Sequence, residues 1–205
     1  LKYLKRKQTA ASAMLVFGNP DLGNPRFDLP KAQVEAERIG ATEKATTLLR
    51  LDASESAFKK LASQFGRIHL ASHGEFDASA PLQSRLLLAK DGQNDGNLTV
   101  GELYSMDIQA DLVTLSACET GLGQIMNGDD IVGLTRGFIY AGASSIVASL
   151  WQVDDDATSR LMMSFYAGLK SMDKRDALRR AQLEVKKVSP HPFFWAPFYL
   201  SGNAL

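Results

Sequence analysis

Two short stretches carry residues suited to covalent chemistry. "ASHGEF" at 71–76 places His73 just before a glycine, and "LSACETG" at 115–121 surrounds Cys118, the one cysteine of the chain, 45 residues further on. A thiol becomes a strong nucleophile when a base or the positive end of a dipole raises its thiolate fraction, and imidazole, titrating near neutrality, is such a base. Gly74 has no Cβ and so lets a substrate come close to the backbone; its N–H, with that of Cys118, could form an oxyanion hole. His73, Cys118 and Gly74 are therefore the parts of an acyl-transfer site. Plainer readings stand beside this one: free cysteine is among the most buried residue types, and a histidine beside a strand can be structural. Small neighbours at Ser116 and Ala117 and the loop-like "ETGLG" after the cysteine favour a sulfur that reaches a cleft. Of the other two histidines, His69 lies inside a strand pattern and His191 in the turn "SPHPFF"; both read as structural.

Further stretches look chemical. The run Asp154, Asp155, Asp156 precedes a helical pattern, where one carboxylate suffices as a cap. The surplus could line a pocket for a cationic side chain, and cap alone and cap plus pocket both remain open. Asp129 and Asp130 cap the helix that begins "IVGLTRGF". "GLGQIMNGDD" lacks the Gly-Lys-Ser/Thr ending of a phosphate loop, which argues against nucleotide binding. "PFFWAPFY" at 192–199 reads as a cluster closing the core, and "DKRDALRRAQLEVKK" as a solvated helix face. Three histidines and one cysteine show no zinc spacing, so neither a metal nor an organic cofactor is expected.

The elements that must position these residues alternate. Strands are expected over 13–18, 45–51, 67–72, 110–118, 144–151 and 197–202, and helices over 29–40, 55–65, 129–142, 155–171 and 174–188. Pro30 opens the first helix and Gly40 closes it, with Val34, Ile39 and several alanines facing inward. Asp52 or Ser54 caps the second helix. "SRLLLAK" and "NLTV" around "DGQNDGN" read as a hairpin, and Thr99 starts a short helix. Strands separated by helices imply crossover connections and a mainly parallel sheet covered on both faces. In such sheets chemistry gathers outside the carboxyl ends of the strands, where His73 and Cys118 both fall.

The 205 residues, 45% hydrophobic and 22% charged, suit one α/β domain spanning 1–205. Basic and acidic residues balance at 23 each, so no overall field favours nucleic acid or an acidic membrane. No apolar run reaches the ~20 residues of a membrane span. A lone cysteine fits a reducing, cytoplasmic setting. The chain begins with Leu, which reads as a piece of a longer protein.

Together these stretches resemble a known family. "ASHGEF" is similar to the Ser-His-Gly-Glu segment of caspases, and "SAC" to their Gln-Ala-Cys signature, whose histidine lies ~50 residues upstream. Ser116 in place of glutamine and "ETG" after the cysteine depart from caspases proper. "VFGNPDLGNP", "LASHGEFD", "PLQSRLLLA", "LVTLSACETGLG", "GLTRGFIYAGASSIVASLWQVDDDAT", "RRAQLEV" and "HPFFWAPFYLSGN" resemble, in order, the CHAT-domain peptidases, bacterial relatives of caspases and separases that usually follow tetratricopeptide repeats. The likeness covers residues 14–203. It implies a caspase-like three-layer α/β/α sandwich with a mainly parallel central sheet, and a cysteine endopeptidase with His73 as base and Cys118 as nucleophile. By resemblance to the "LW-x-V-x-D" segment of separases, Asp155, with Asp154 beside it, becomes the candidate pocket for a basic residue of a protein or peptide substrate. The likeness further implies upstream sheet elements and repeats, and a repeat region or regulatory protein as partner. The alternative is a catalytically silent binding or scaffold domain of the same fold.

Overall fold

The structure is a computed structural model that describes residues 13–77, 79–116, 118–119, 129–151 and 154–205, with the backbone alone at residues 118–119, 129–132 and 155. The chain runs β1 (Met14–Pro20), α1 (Pro30–Glu43), β2 (Thr46–Arg50), α2 (Glu55–Leu61), β3 (Arg67–Ala71), β4 (His73–Glu75), β5 (Arg85–Leu87), β6 (Asn97–Thr99), α3 (Val100–Leu103), β7 (Leu112–Leu115) and β8 (Cys118–Glu119). It continues through α4 (Asp129–Ala141), β9 (Ser145–Ser149), α5 (Asp155–Gly168), α6 (Lys174–Val188) and β10 (Phe198–Gly202).

Six strands form the central sheet in the order β10-β9-β7-β3-β1-β2. All neighbours are parallel except β10, which runs antiparallel to β9 at the edge. Period-two alternation feeds both faces, as a doubly covered sheet requires. In β1, Leu15 and Phe17 join one core cluster while Met14 and Val16 join the other. The first cluster packs Phe58 of α2, Val100 and Leu103 of α3, and Leu134 and Phe138 of α4; the second packs Ala36 and Ile39 of α1, Leu161 and Phe165 of α5, and Ala177 and Ala181 of α6. The expected α/β/α sandwich is thus the one observed.

Helix ends follow local side chains. Ser54, not Asp52, caps α2, its hydroxyl accepting from Ala57 N at 3.2 Å. Thr99 and Glu102 make a reciprocal capping box on α3, and Asp173 caps α6 by accepting from Asp176 N at 2.8 Å. Two expectations need correction. Helix α1 does not stop at Gly40 but runs to Glu43, where Lys44 turns left-handed at φ 52°. Gly40 serves packing instead: a Cβ there would lie 2.1 Å from Thr47 Oγ1 on β2. Val34, expected to face inward, is 42% exposed.

The sequence reading lacked a second sheet, β6-β5-β4-β8. It holds the expected hairpin and two strands of three and two residues, too short to show an alternating pattern. The hairpin loop docks on α2, where buried Glu55 accepts from Gly96 N at 2.8 Å through Oε2 and pairs with Lys59 at 2.5 Å. At the loop tip, Asp91 Oδ1 accepts from Gln93 N, Ser56 Oγ and Asn94 N, between 2.9 and 3.1 Å. These bonds, led by the Gln93 amide, hold the Asp91 carboxyl at about 2, down from 3.8. A carboxyl depressed on folding stabilises above its unfolded value, and that contribution fades as pH falls through the folded one. Asp91→Asn should therefore shrink the loss of stability between pH 3.8 and about 2, read from urea midpoints across that window. An unchanged acid limb would remove Asp91 from the acid response.

Candidate active site

The candidate residues gather at the carboxyl end of the central sheet. Strand order reverses around β1, with β2 on one side and β3 on the other, which is where crevices open in such sheets. After β3, Ser72 turns the chain into β4, whose first residue is His73, 5% exposed. After β1 the chain makes a single 3-10 turn, Pro25–Phe27, capped by Asn24. The Phe27 carbonyl lies 2.7 Å from His73 Nε2, and the Phe27 ring meets the imidazole edge-on at 5.9 Å.

That contact sets the chemistry of the ring. A carbonyl oxygen only accepts, so Nε2 carries the proton and, in the neutral ring, Nδ1 keeps its lone pair. Nδ1 is buried and has no hydrogen-bond partner among the described residues. A buried polar atom without a partner is costly and calls for an explanation. Here one ring nitrogen is held and the other is open, an arrangement that suits an imidazole for accepting a proton at Nδ1. Sequence reasoning missed the Phe27 carbonyl because any residue type supplies that group; the turn signals of "NPDLGNP" were its only trace.

Cys118 enters through the backbone. Strand β8 pairs parallel with β4, placing His73 opposite Cys118 and Gly74 opposite Glu119. Neighbouring strands lie about 4.8 Å apart, so two residues 45 apart in the chain become adjacent. The Cys118 side chain and residues 120–128, with "GLGQIM", lie outside the described residues. At Gly74 an added Cβ would meet Phe76 at 3.6 Å and Leu86 at 3.7 Å, ordinary contacts. The fold itself therefore does not demand glycine there.

Asp154 is the N-cap of α5, its Oδ1 accepting from Asp156 N at 3.1 Å and Ala157 N at 3.0 Å. Asp155 is the first residue of that helix, with its side chain outside the described part, as are those of Asp129 and Asp130 at the start of α4. Nearby, Trp151 Nε1 donates to the Phe193 carbonyl at 3.1 Å, and Phe194 and Trp195 pack on the core, as read for "PFFWAPFY". His191 caps a 3-10 turn by accepting from Phe193 N through Nδ1. His69 is fully buried: Nδ1 lies 3.1 Å from the Tyr166 hydroxyl, and Nε2 lies 3.1 Å from Glu35 Oε1 without hydrogen-bond alignment. Both are structural, as expected. Among the described residues no group of three or more His, Cys, Asp or Glu side chains could hold a metal ion, and no helix is long and apolar enough to cross a membrane.

The sequence pattern of the CHAT domain matches residues 1–203. The chain belongs to the CHAT-domain family. Curated relatives include human tetratricopeptide repeat protein 28, 24% identical over 237 aligned residues, and its mouse counterpart, 25% identical over 230. These alignments cover 95% and 92% of this chain, but only 10% and 9% of the relatives. A CHAT domain is thus about a tenth of such proteins.

Among solved structures, the Saccharomyces cerevisiae separase of a separase-securin complex matches 93% of this CHAT domain and 12% of its own chain, with a TM-score of 0.58 and 11% identity. The Arg-specific cysteine proteinase gingipain R matches 95% and 46%, with a TM-score of 0.57 and 9% identity. At these identities the likeness establishes a fold shared with separase and gingipain R, and no more.

Proposed function

We propose that this CHAT domain is a cysteine endopeptidase acting on a protein substrate through His73 and Cys118. The observation that carries the reading is the imidazole: Nε2 held by the Phe27 carbonyl, Nδ1 buried and open, and Cys118 its register partner on the adjacent strand. Register partners share a face of a sheet. Nδ1 takes the thiol proton, and the sulfur of Cys118 attacks the scissile carbonyl carbon. The Gly74 and Cys118 amides receive the developing oxyanion. The imidazolium returns its proton to the leaving amine as the C–N bond breaks, and water, deprotonated by Nδ1, hydrolyses the thioester. A fold that does not need glycine at 74 leaves the approach of the substrate backbone as the reason for it.

For specificity, Asp154 has one oxygen committed to capping α5, so Asp155, with Asp154 beside it, is the leading acidic group for an arginine or lysine before the scissile bond. The relatives that carry repeats, and the separase crystallised with securin, support gating by a repeat region or a regulatory protein. The whole protein should react covalently with a thiol-directed peptide probe bearing a leading arginine, lysine, methionine or leucine, read as an adduct by mass spectrometry. No adduct with any probe, alone or with partners present, would leave the scaffold reading. Asp155→Asn should slow labelling by the basic probes much more than by the apolar ones; equal slowing would reduce the aspartate to a helix residue.

A further inference from the structure

The imidazole is only as well placed as the carbonyl that holds it, and the turn bearing that carbonyl is short and on the surface. Phe27 is 37% exposed, and the loop from the end of β1 to the start of α1 meets β2 through the Asp21 amide, which donates to the Arg50 carbonyl at 3.1 Å. Its two ends are also tied. Asn19, at the end of β1, is 2% exposed and takes a left-handed backbone, φ 45°, at the register shift between Gly18 and Pro20. Non-glycine residues rarely adopt that conformation, and asparagine is among those that adopt it best.

The twist places the Asn19 side chain across the loop. Oδ1 accepts from Leu29 N at 2.8 Å, and Nδ2 faces Gln33 Oε1 on α1 at 3.4 Å. Leu29 is two residues past Phe27. The residue between them, Asp28, is gripped by Arg50 Nη1 at 2.5 Å, and Arg50, itself left-handed at φ 53°, also reaches Asp21 at 3.4 Å. Within the turn, Asp28 N donates to the Pro25 carbonyl at 3.2 Å. The Phe27–Asp28 peptide is thus held by its own turn, by the Arg50–Asp28 pair and, one residue on, by Asn19.

We infer that Asn19, assisted by Arg50 and Asp28, is a positioning residue that holds the Phe27 carbonyl against His73 and so selects the imidazole tautomer with Nε2 protonated and Nδ1 free. The inference deepens the peptidase reading and rests on it for its catalytic meaning, but the tautomer is measurable without any substrate. Asn19 acts through a backbone group and touches neither substrate nor the reacting atoms. Its effect on the tautomer comes from geometry: a carbonyl displaced from 2.7 Å to beyond hydrogen-bond reach no longer distinguishes the two ring nitrogens.

The test is nitrogen-15 NMR of histidine-labelled protein, with the His73 signals assigned by their loss in His73→Gln, at a pH where the ring is neutral. The unmodified protein should show one protonated nitrogen, Nε2. Asn19→Gly suits the left-handed backbone but removes the acceptor for Leu29 N, and should give a mixture of both tautomers. Asn19→Asp keeps an acceptor oxygen and tolerates the same φ, and should restore the Nε2-protonated pattern. Asp28→Ala, at a half-exposed position, should shift the pattern in the same direction as Asn19→Gly, and supplies the answer if the glycine variant does not fold. An unaltered tautomer in the folded variants, or an aspartate variant no better than glycine, overturns the inference.

Labelling of Cys118 by the peptide probes separates the two readings. If the peptidase reading is right, Asn19→Gly slows it at least ~10-fold, a part of the roughly 10²- to 10⁴-fold that positioned acid–base catalysis supplies. If the unmodified protein never labels while its His73 tautomer responds as described, the peptidase reading fails and the positioning role stands.

Discussion

His73→Ala should lower cleavage of a peptide substrate by roughly 10²- to 10⁴-fold, the range that a positioned general base contributes, and Cys118→Ala should abolish both turnover and covalent labelling. The two losses differ in kind. Without the imidazole, Cys118 keeps a thiol whose ordinary pKa is ~8.5, only a few per cent thiolate at neutral pH. Residual labelling in His73→Ala should therefore grow with rising pH, since deprotonation then depends on solvent alone. Removing the sulfur leaves no atom to form the thioester, so no pH restores labelling. Because residues of a catalytic unit are strongly non-additive, the double variant should be no worse than Cys118→Ala. Labelling of His73→Ala within threefold of the unmodified protein at neutral pH would refute the pair. The open Nδ1 atom of a histidine held at Nε2, on the strand beside Cys118, is the reason to expect so large an effect.

The largest effect on stability should come from His69→Ala, at about 3–5 kcal/mol, the cost of emptying a ring-sized space in the core and leaving buried polar neighbours without a partner. His69 is fully buried, Glu35 is 4% exposed and Tyr166 2%. The Tyr166 hydroxyl donates to Thr114 Oγ1 at 2.9 Å, so its oxygen accepts from His69 Nδ1. Burial pushes the Tyr166 phenol well above its ordinary range. The chain Glu35–His69–Tyr166–Thr114 joins α1, β3, α5 and β7 through the middle of one helix layer. Alanine at 69 strands the Glu35 carboxyl in an apolar layer, whereas Glu35→Leu with His69→Leu removes both ends and should come closer to neutral. Urea denaturation of the three proteins gives the comparison. A cost under ~1 kcal/mol for His69→Ala would mean that water or relaxation satisfies Glu35.

These two histidines show what was legible. Strand patterns around "RIHLAS" put His69 inside and His73 at the end, which was enough to read one as structural and the other as available. Apolar alternation, caps and turn residues likewise marked the sandwich and nearly every helix, because those signals act over a few neighbouring residues. Helix α6 was expected over 174–188 and spans Lys174–Val188. Where local signals served two purposes, reading failed. Gly40 looked like a helix stop, but its missing Cβ makes room for Thr47 on β2.

The sequence by itself determined an α/β chain with its histidine and cysteine at strand ends, since alternation and residue chemistry are properties of the chain. Only the tertiary structure decided that His73 and Cys118 are register partners in a second small sheet, and that a backbone carbonyl holds the imidazole. Those facts depend on contacts between residues far apart in the chain, in the last case through a group that every residue carries. No residue-by-residue reading can recover such a contact until the fold has brought its two sides together.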